Sequence, residues 1–214
     1  VRLLVIGAGR GADQIIDAIS PPIFKKYYPY EIVGFMDDNN PREPYWGGIS
    51  SSEAKRRLDD GEFEMAVVSI STLIELRKNL FNNFRKRGIP FANVIHPTAY
   101  ISPQAEIGCG NVILAQCHIG AYAQVGDNNF ISAKCSIEHH NKVGSHNTFG
   151  PSIVTSSRVE IGDQCHFGTG IFMEPGVTIG DDCVVASGAV LPDGLVVLDK
   201  NIVKTTVNWL LRAL

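Results

Sequence analysis

The hydrophobic pattern of the chain changes near residue 90. Before it, short apolar runs alternate with amphipathic stretches. Residues 3–6 read as a strand running into Gly7-Ala8-Gly9-Arg10-Gly11-Ala12, with a helix from there to about residue 19. Residues 31–35 read as a second strand, closed by Met36-Asp37-Asp38-Asn39-Asn40, and residues 65–69 as a third. Thr72 with Glu75 has the form of a capping box. The helix it predicts carries Leu73, Leu76, Leu80 and Phe84 on one face and is ended by Gly88 and Pro90. Strands alternating with helices imply a small parallel sheet.

Beyond residue 95 an aliphatic or aromatic residue recurs every six positions, from Ile95, Ile101 and Ile107 to Val203. Of the 19 positions in this register only Thr155 is not hydrophobic. At 44% hydrophobic residues, chance gives such a run roughly once in 10⁵ chains. A strict period of six fits neither a helix nor one long strand, and it is the signature of a parallel β-helix. The register implies six coils of 18 residues with no loop extruded between them. Glycine often follows the register residue (Gly108, Gly120, Gly126, Gly144), as expected at a corner with no room for a side chain. Cys117, Cys135, Cys165 and Cys183 fall two positions before it, where small inward residues belong, and read as core thiols stacked in pairs.

The chain thus reads as α/β plus all-β. Residues 1–92 form a small Rossmann-like parallel-sheet domain, residues 93–200 a β-helix, and residues 201–214, with Trp209, Leu210, Leu211 and Leu214, a helical tail over the end of the column. A net charge of −3 argues against nucleic acid or an anionic membrane as partner. No apolar run approaches the ~20 residues of a membrane helix, and the N-terminal apolar stretch is too short for a signal peptide, so a cytoplasmic location is expected. Five cysteines without a C-x-x-C favour neither a disulfide framework nor a zinc ribbon.

Two stretches carry candidate chemistry. Gly7-x-Gly9-x-x-Ala12, between a strand and a helix, is a turn whose backbone N–H groups can face a phosphate. Asp37 or Asp38, ending the second strand, adds an acceptor for ribose or base hydroxyls. About 90 residues supply only half a dinucleotide fold, which favours one nucleotide or a nucleotide-sugar over NAD. The second stretch is Glu138-His139-His140 near a corner of the column, where a neutral imidazole can serve as general base toward an amine or hydroxyl. Without an H-E-x-x-H helix or matching cysteines, no metal is assigned. His96 before Pro97 marks the domain junction, and His146 lies on a turn. His118 and His166 point outward, and the 18-residue spacing makes Thr148 and His166 neighbours.

Gly-Ala-Gly at the start, Val-Gly-Phe-Met-Asp-Asp-Asn after strand two, Ile-His-Pro at the junction, the hexapeptide array and Glu138-His139 together carry a resemblance. The chain resembles, over nearly its whole length, the hexapeptide-repeat sugar acyltransferases. These include sialic acid O-acetyltransferase and the N-acetyltransferases of bacillosamine and perosamine biosynthesis. The resemblance implies a left-handed coil, a homotrimer with active sites between columns, and acetyl-CoA as co-substrate with no metal. It makes His139 the base, with Glu138 and His140 beside it, and calls for backbone donors to the oxyanion. It places a nucleotide-sugar against Gly9, Arg10, Gly11, Asp37, Asp38 and Ser69. Acetyl-CoA falls against Thr148, Ser157, His166, Thr169, Ser187 and Gly188. Members commonly carry Asp or Glu after the histidine, where this chain has His140. They often carry a further histidine where it has Thr148, with His166 one coil on. A Gly-x-Pro-Ala-Lys tail is replaced here by the Trp209 segment, and Ala12 stands for a third glycine.

The expected activity is acetyl transfer from acetyl-CoA to a nucleotide-activated amino-deoxy sugar for surface glycan synthesis. Sugar O-acetylation, on sialic acid for example, is the nearest alternative. A non-catalytic trimer that binds a nucleotide-sugar is the alternative from another class.

Overall fold

The computed structural model describes residues 1–19 and 30–204. Strands β1 (Arg2–Ile6), β2 (Glu31–Met36) and β3 (Met65–Val68) form a parallel sheet in the order β2-β1-β3. Central β1 is covered on both faces, so it reads as an unbroken apolar run rather than an alternation. Among the described residues three helices accompany the sheet: α1 (Arg10–Ile19), α2 (Ser51–Asp59) and α3 (Ile74–Lys86).

α2 lies in a stretch that hydrophobic spacing leaves unassigned, because Ala54 alone of its residues is buried. Its signal is a capping motif: Ser50 Oγ accepts from Glu53 N at 3.3 Å. The same motif misleads at Thr72 and Glu75. α3 starts at Ile74, with Leu73 at the N-cap position and no side-chain cap. Its buried face is Arg77, Phe81 and Phe84, not the Leu73–Leu76–Leu80 stripe; Leu73 and Leu76 are exposed. That stripe is apolar because it walls a cavity described below.

From Val94 the chain steps through two-residue strands every six residues, without insertion, to Ile202–Val203. Strands 18 residues apart pair in parallel and build three faces of seven, six and six strands. The first face begins at Val94–Ile95, the second at Tyr100–Ile101 and the third at Glu106–Ile107. Register residues from Ile113 to Val197 are all buried, with Ile95, Ile101, Ile107 and Val203 packing partly at the ends. The four inward cysteines are buried as well. Ile202–Val203 pairs with Val184–Val185, so the solenoid passes residue 200, where the tail was expected to begin. The expected helix falls in residues 205–214, outside the described residues.

Corner glycines make room between coils: a Cβ on Gly144 would stand 2.7 Å from the carbonyl oxygen of Gly162 in the next coil. Left-handed φ falls instead three positions after a register residue, mostly on side-chain-bearing residues, and His140 is one of them at φ 59°.

The N-terminal domain sits on the first face. The outward residues Val94, Val112 and Phe130 there are buried with Ala12 and Ile15 of α1 in one cluster. At the junction His96 Nδ1 accepts from Thr98 N at 3.1 Å, a local turn contact. Among the described residues no helix is long and apolar enough to cross a membrane.

Candidate active site

The glycine turn after β1 is shaped by close approach. Gly7 has φ 95°, and a Cβ on Gly11 would lie 1.7 Å from Ser69 O, so α1 can start only against the end of β3 with glycine there. A Cβ on Gly9 would meet nothing within 4 Å, because that residue opens onto a cavity. Asp37 is buried and holds the turn: Oδ2 accepts from Ala8 N at 2.6 Å, and Oδ1 from Asn39 N at 2.8 Å and Asn40 N at 2.6 Å. Burial works against its charge, but these N–H donors and the Asn40 amide keep its carboxyl below the usual carboxylate range. Asp38 is exposed and accepts from Ile49 N through Oδ1. Ser69 Oγ donates to Gly7 O at 2.9 Å. All six residues expected to hold the nucleotide-sugar therefore meet around one cavity of about 400 Å³. Asp37 and Ser69 act there as its framework. Gly9 and the start of α1 give it an anion-accepting end, and Ile49, Leu73, Leu76 and Leu80 give it an apolar wall.

A second cavity of about 390 Å³ shares Ser71 and Thr72 with the first. It runs from Gln14 along the first face, past Thr148 and His166, to Thr169 and Ser187 at the edge between the first and second faces. Thr148 and His166 pair in register. His166 is half-buried, and burial followed by the charge of Arg77 lowers its pKa, so it faces neutral solution uncharged. Thr148 lines this cavity and also serves the domain junction. Its hydroxyl donates to Ser71 O at 2.6 Å and accepts from Arg77 Nη1 at 2.9 Å, which commits it to the domain junction. At the edge, Thr169 N donates to Ser187 Oγ and Gly188 N to Thr169 O. Ser157 is elsewhere: it lies one coil beyond His139, on the edge between the second and third faces.

Arg77 is a residue the sequence did not single out. It is 1% exposed, and among the described residues it meets no carboxylate; every partner there is a carbonyl except Thr148. Nη1 donates to Ile70 O and Ser71 O, Nη2 to His146 O and Asn147 O, and Nε to Asn128 O. One guanidinium thus ties the loop between the two cavities to the solenoid. Lys78 to Gln164 and Arg85 to Asp127 extend the join along α3. His146 beside it is held neutral, its pKa lowered to about 4 by burial first and Arg77 second.

The candidate turn Glu138–Asn141 stands on the edge between the second and third faces. The single polar register residue explains its shape. Thr155 Oγ1 accepts from Glu138 N at 3.1 Å and from Asn141 Nδ2, while Asn141 Oδ1 accepts from Val159 N at 2.7 Å. Glu138 Oε1 accepts from Ser136 Oγ at 2.8 Å. His139 and His140 are exposed, with their Nδ1 atoms 3.0 Å apart. Among the described residues, no three His, Cys, Asp or Glu are grouped to hold a metal. A third concavity, about 730 Å³, is an open groove on the third face bordered by Glu106, Gln124, Lys142 and Glu160.

No family model matches the chain, and no curated protein does. Solved structures do. Perosamine N-acetyltransferase from Caulobacter crescentus, in complex with CoA and GDP-perosamine, is 25% identical with a TM-score of 0.81, covering 94% of this chain and 92% of that one. The acetyltransferase domain of PglB from Neisseria gonorrhoeae is 25% identical with a TM-score of 0.75, covering 92% and 96%. WeeI from Acinetobacter baumannii, 18% identical with a TM-score of 0.73, covers 92% and 94% and shares the fold. The first two are named as acetyltransferases, and all three share the fold of this chain. The resemblance legible in the motifs thus extends along nearly the whole chain, to solved acetyltransferases that share its fold.

Proposed function

We propose that this chain transfers an acetyl group from acetyl-CoA to the amine of a nucleotide-activated amino-deoxy sugar, in the cytoplasm, for surface glycan synthesis. The observation that carries the reading is the pair of joined cavities. A nucleotide against Gly9, Arg10 and Asp38 would extend its sugar past Ser71 and Thr72 toward Thr169 and Ser187. The solved relatives with CoA and a nucleotide amino sugar support the same substrate class.

His139 lies on a different edge from that path, so a single chain leaves the site incomplete. The second face separates the two edges, and its outward row includes exposed Tyr100, Val154, Phe172 and Val190. The third face instead carries Glu106, Gln124, Lys142 and Glu160. Three copies that turn their second faces to a common axis would bury the apolar row. Each His139 edge would then abut the Thr169–Ser187 edge of the next copy, a head-to-tail contact that closes into a ring. Acetyl-CoA fits between those edges, against Thr169, Ser187 and Gly188 on one copy and Ser157 on the other.

In this reading His139 Nε2 takes the proton from the attacking nitrogen. It returns that proton to the thiolate of CoA when the carbon–sulfur bond breaks. Thr155 and Asn141 hold the turn from which it acts.

Turnover with a panel of nucleotide 4-amino sugars, read as thiol release from acetyl-CoA, tests the proposal. N-acetylated product with at least one amino sugar is expected. Product only from sugars lacking an amine would move the reading to O-acetylation. Nucleotide-sugar binding without any thiol release would leave a binding trimer.

A further inference from the structure

The Nδ1 atoms of His139 and His140 lie 3.0 Å apart, with the rings at 89°. A hydrogen bond between two imidazole nitrogens needs one bare lone pair and one N–H. Two neutral arrangements satisfy it. In the first, His139 donates from Nδ1 and keeps a bare Nε2. In the second, His140 donates and His139 carries its proton on Nε2. Only the first leaves His139 able to accept a proton from substrate. A carboxylate at position 140 would enforce that state, because it only accepts; an imidazole allows both.

The surroundings hold His140 in place. Its φ of 59° is set by the corner, its N donates to Ala121 O at 3.0 Å, and its ring lies 5.0 Å from that of Tyr122 one coil below. Of the charged groups nearby, Glu138 is bound to Ser136 and Lys142 to Glu160, and Arg158 follows His140 one coil on.

We propose that His140 is a positioning residue whose neutral Nδ1 accepts the Nδ1–H of His139, so that the tautomer of this pair decides whether the base is available. The proposal rests on the assignment of His139 as base. In turnover the substrate nitrogen loses its proton to His139 Nε2 as its bond to the acetyl carbon forms. The positive charge that results is shared across the Nδ1–H···Nδ1 bond, and the departing thiolate then removes the proton. His140 ends as it began, with no net change. Protonation of His140 at Nδ1 deletes the acceptor, so activity should fall with acid more steeply than one proton allows.

The test combines nitrogen NMR of the full-length, histidine-labelled protein with kinetics. The expected spectrum shows His139 protonated at Nδ1 with Nε2 bare, and His140 with Nδ1 bare. His140→Ala should lower kcat about 10–100-fold with KM little changed. His140→Asp should restore or exceed the original kcat, with a one-proton acid limb. His139 protonated at Nε2, or kcat and acid limb unchanged in His140→Ala while His139→Ala is dead, would overturn the role of His140 and leave the base assignment standing. Full turnover by His139→Ala would overturn both.

Discussion

Acetyl transfer by the His139→Ala protein is expected to fall about 10²–10⁴-fold, the usual contribution of a positioned general base. Binding should survive, because His139 is exposed on an edge and its side chain supports no part of the core. Thermal stabilisation by the nucleotide-sugar should therefore match the parent protein, since the Gly9–Asp38 cavity is untouched. The turn should also persist, because Thr155 and Asn141 hold it through Glu138 N and Val159 N, not through the imidazole. Unchanged thiol release in this variant, measured with saturating substrates, would remove His139 from the mechanism.

The second large effect concerns Arg77→Met, which should destabilise the folded protein by about 3–5 kcal/mol, the cost of leaving several buried carbonyls without a donor. Two effects oppose each other. Burial pulls the guanidinium pKa down to about 10, equivalent to about 3 kcal/mol against the charged form. Methionine relieves that. It also strands the carbonyls of Ile70, Asn128 and His146 and removes one of two donors from those of Ser71 and Asn147, which keep Thr148 Oγ1 and Phe130 N. Hydrogen bonds from a charged donor contribute about 1.5–3 kcal/mol each, so the losses win even if only half of them count. A urea midpoint equal to that of the parent would refute this, and Arg77→Lys should recover only part of the loss, because one ammonium cannot reach both domains in the same fork.

Much of the architecture was legible because the β-helix writes its geometry into a fixed period: each register residue meets its equivalents 18 residues away, and few other contacts matter. The glycine turn was legible for a similar reason, since Gly7 and Gly11 answer to local backbone approach. Arg77 was hidden because its partners are backbone carbonyls, which leave no mark on residue type. α2 was hidden because a helix with one buried residue has almost no apolar face, and the capping motif that marks it also occurs falsely at Thr72. The leucine stripe of α3 read as core because hydrophobic spacing cannot tell a core from the wall of a cavity. Thr155 offered the one usable clue to the turn: a single polar residue in an otherwise apolar register needs a buried partner, and its partners are Glu138 and Asn141.

The direct test of a site shared between copies is subunit complementation. Gly9→Phe places a ring in the nucleotide cavity at a position where a Cβ meets nothing within 4 Å, and His139→Ala removes the base; each protein alone should be nearly inactive. Trimers assembled from equal amounts of the two should recover about a quarter of the parent activity, because a quarter of the head-to-tail edges pair an intact His139 with an intact cavity. Activity that stays at the level of the separate variants, in mixtures shown to contain both chains, would contradict a site built from two copies.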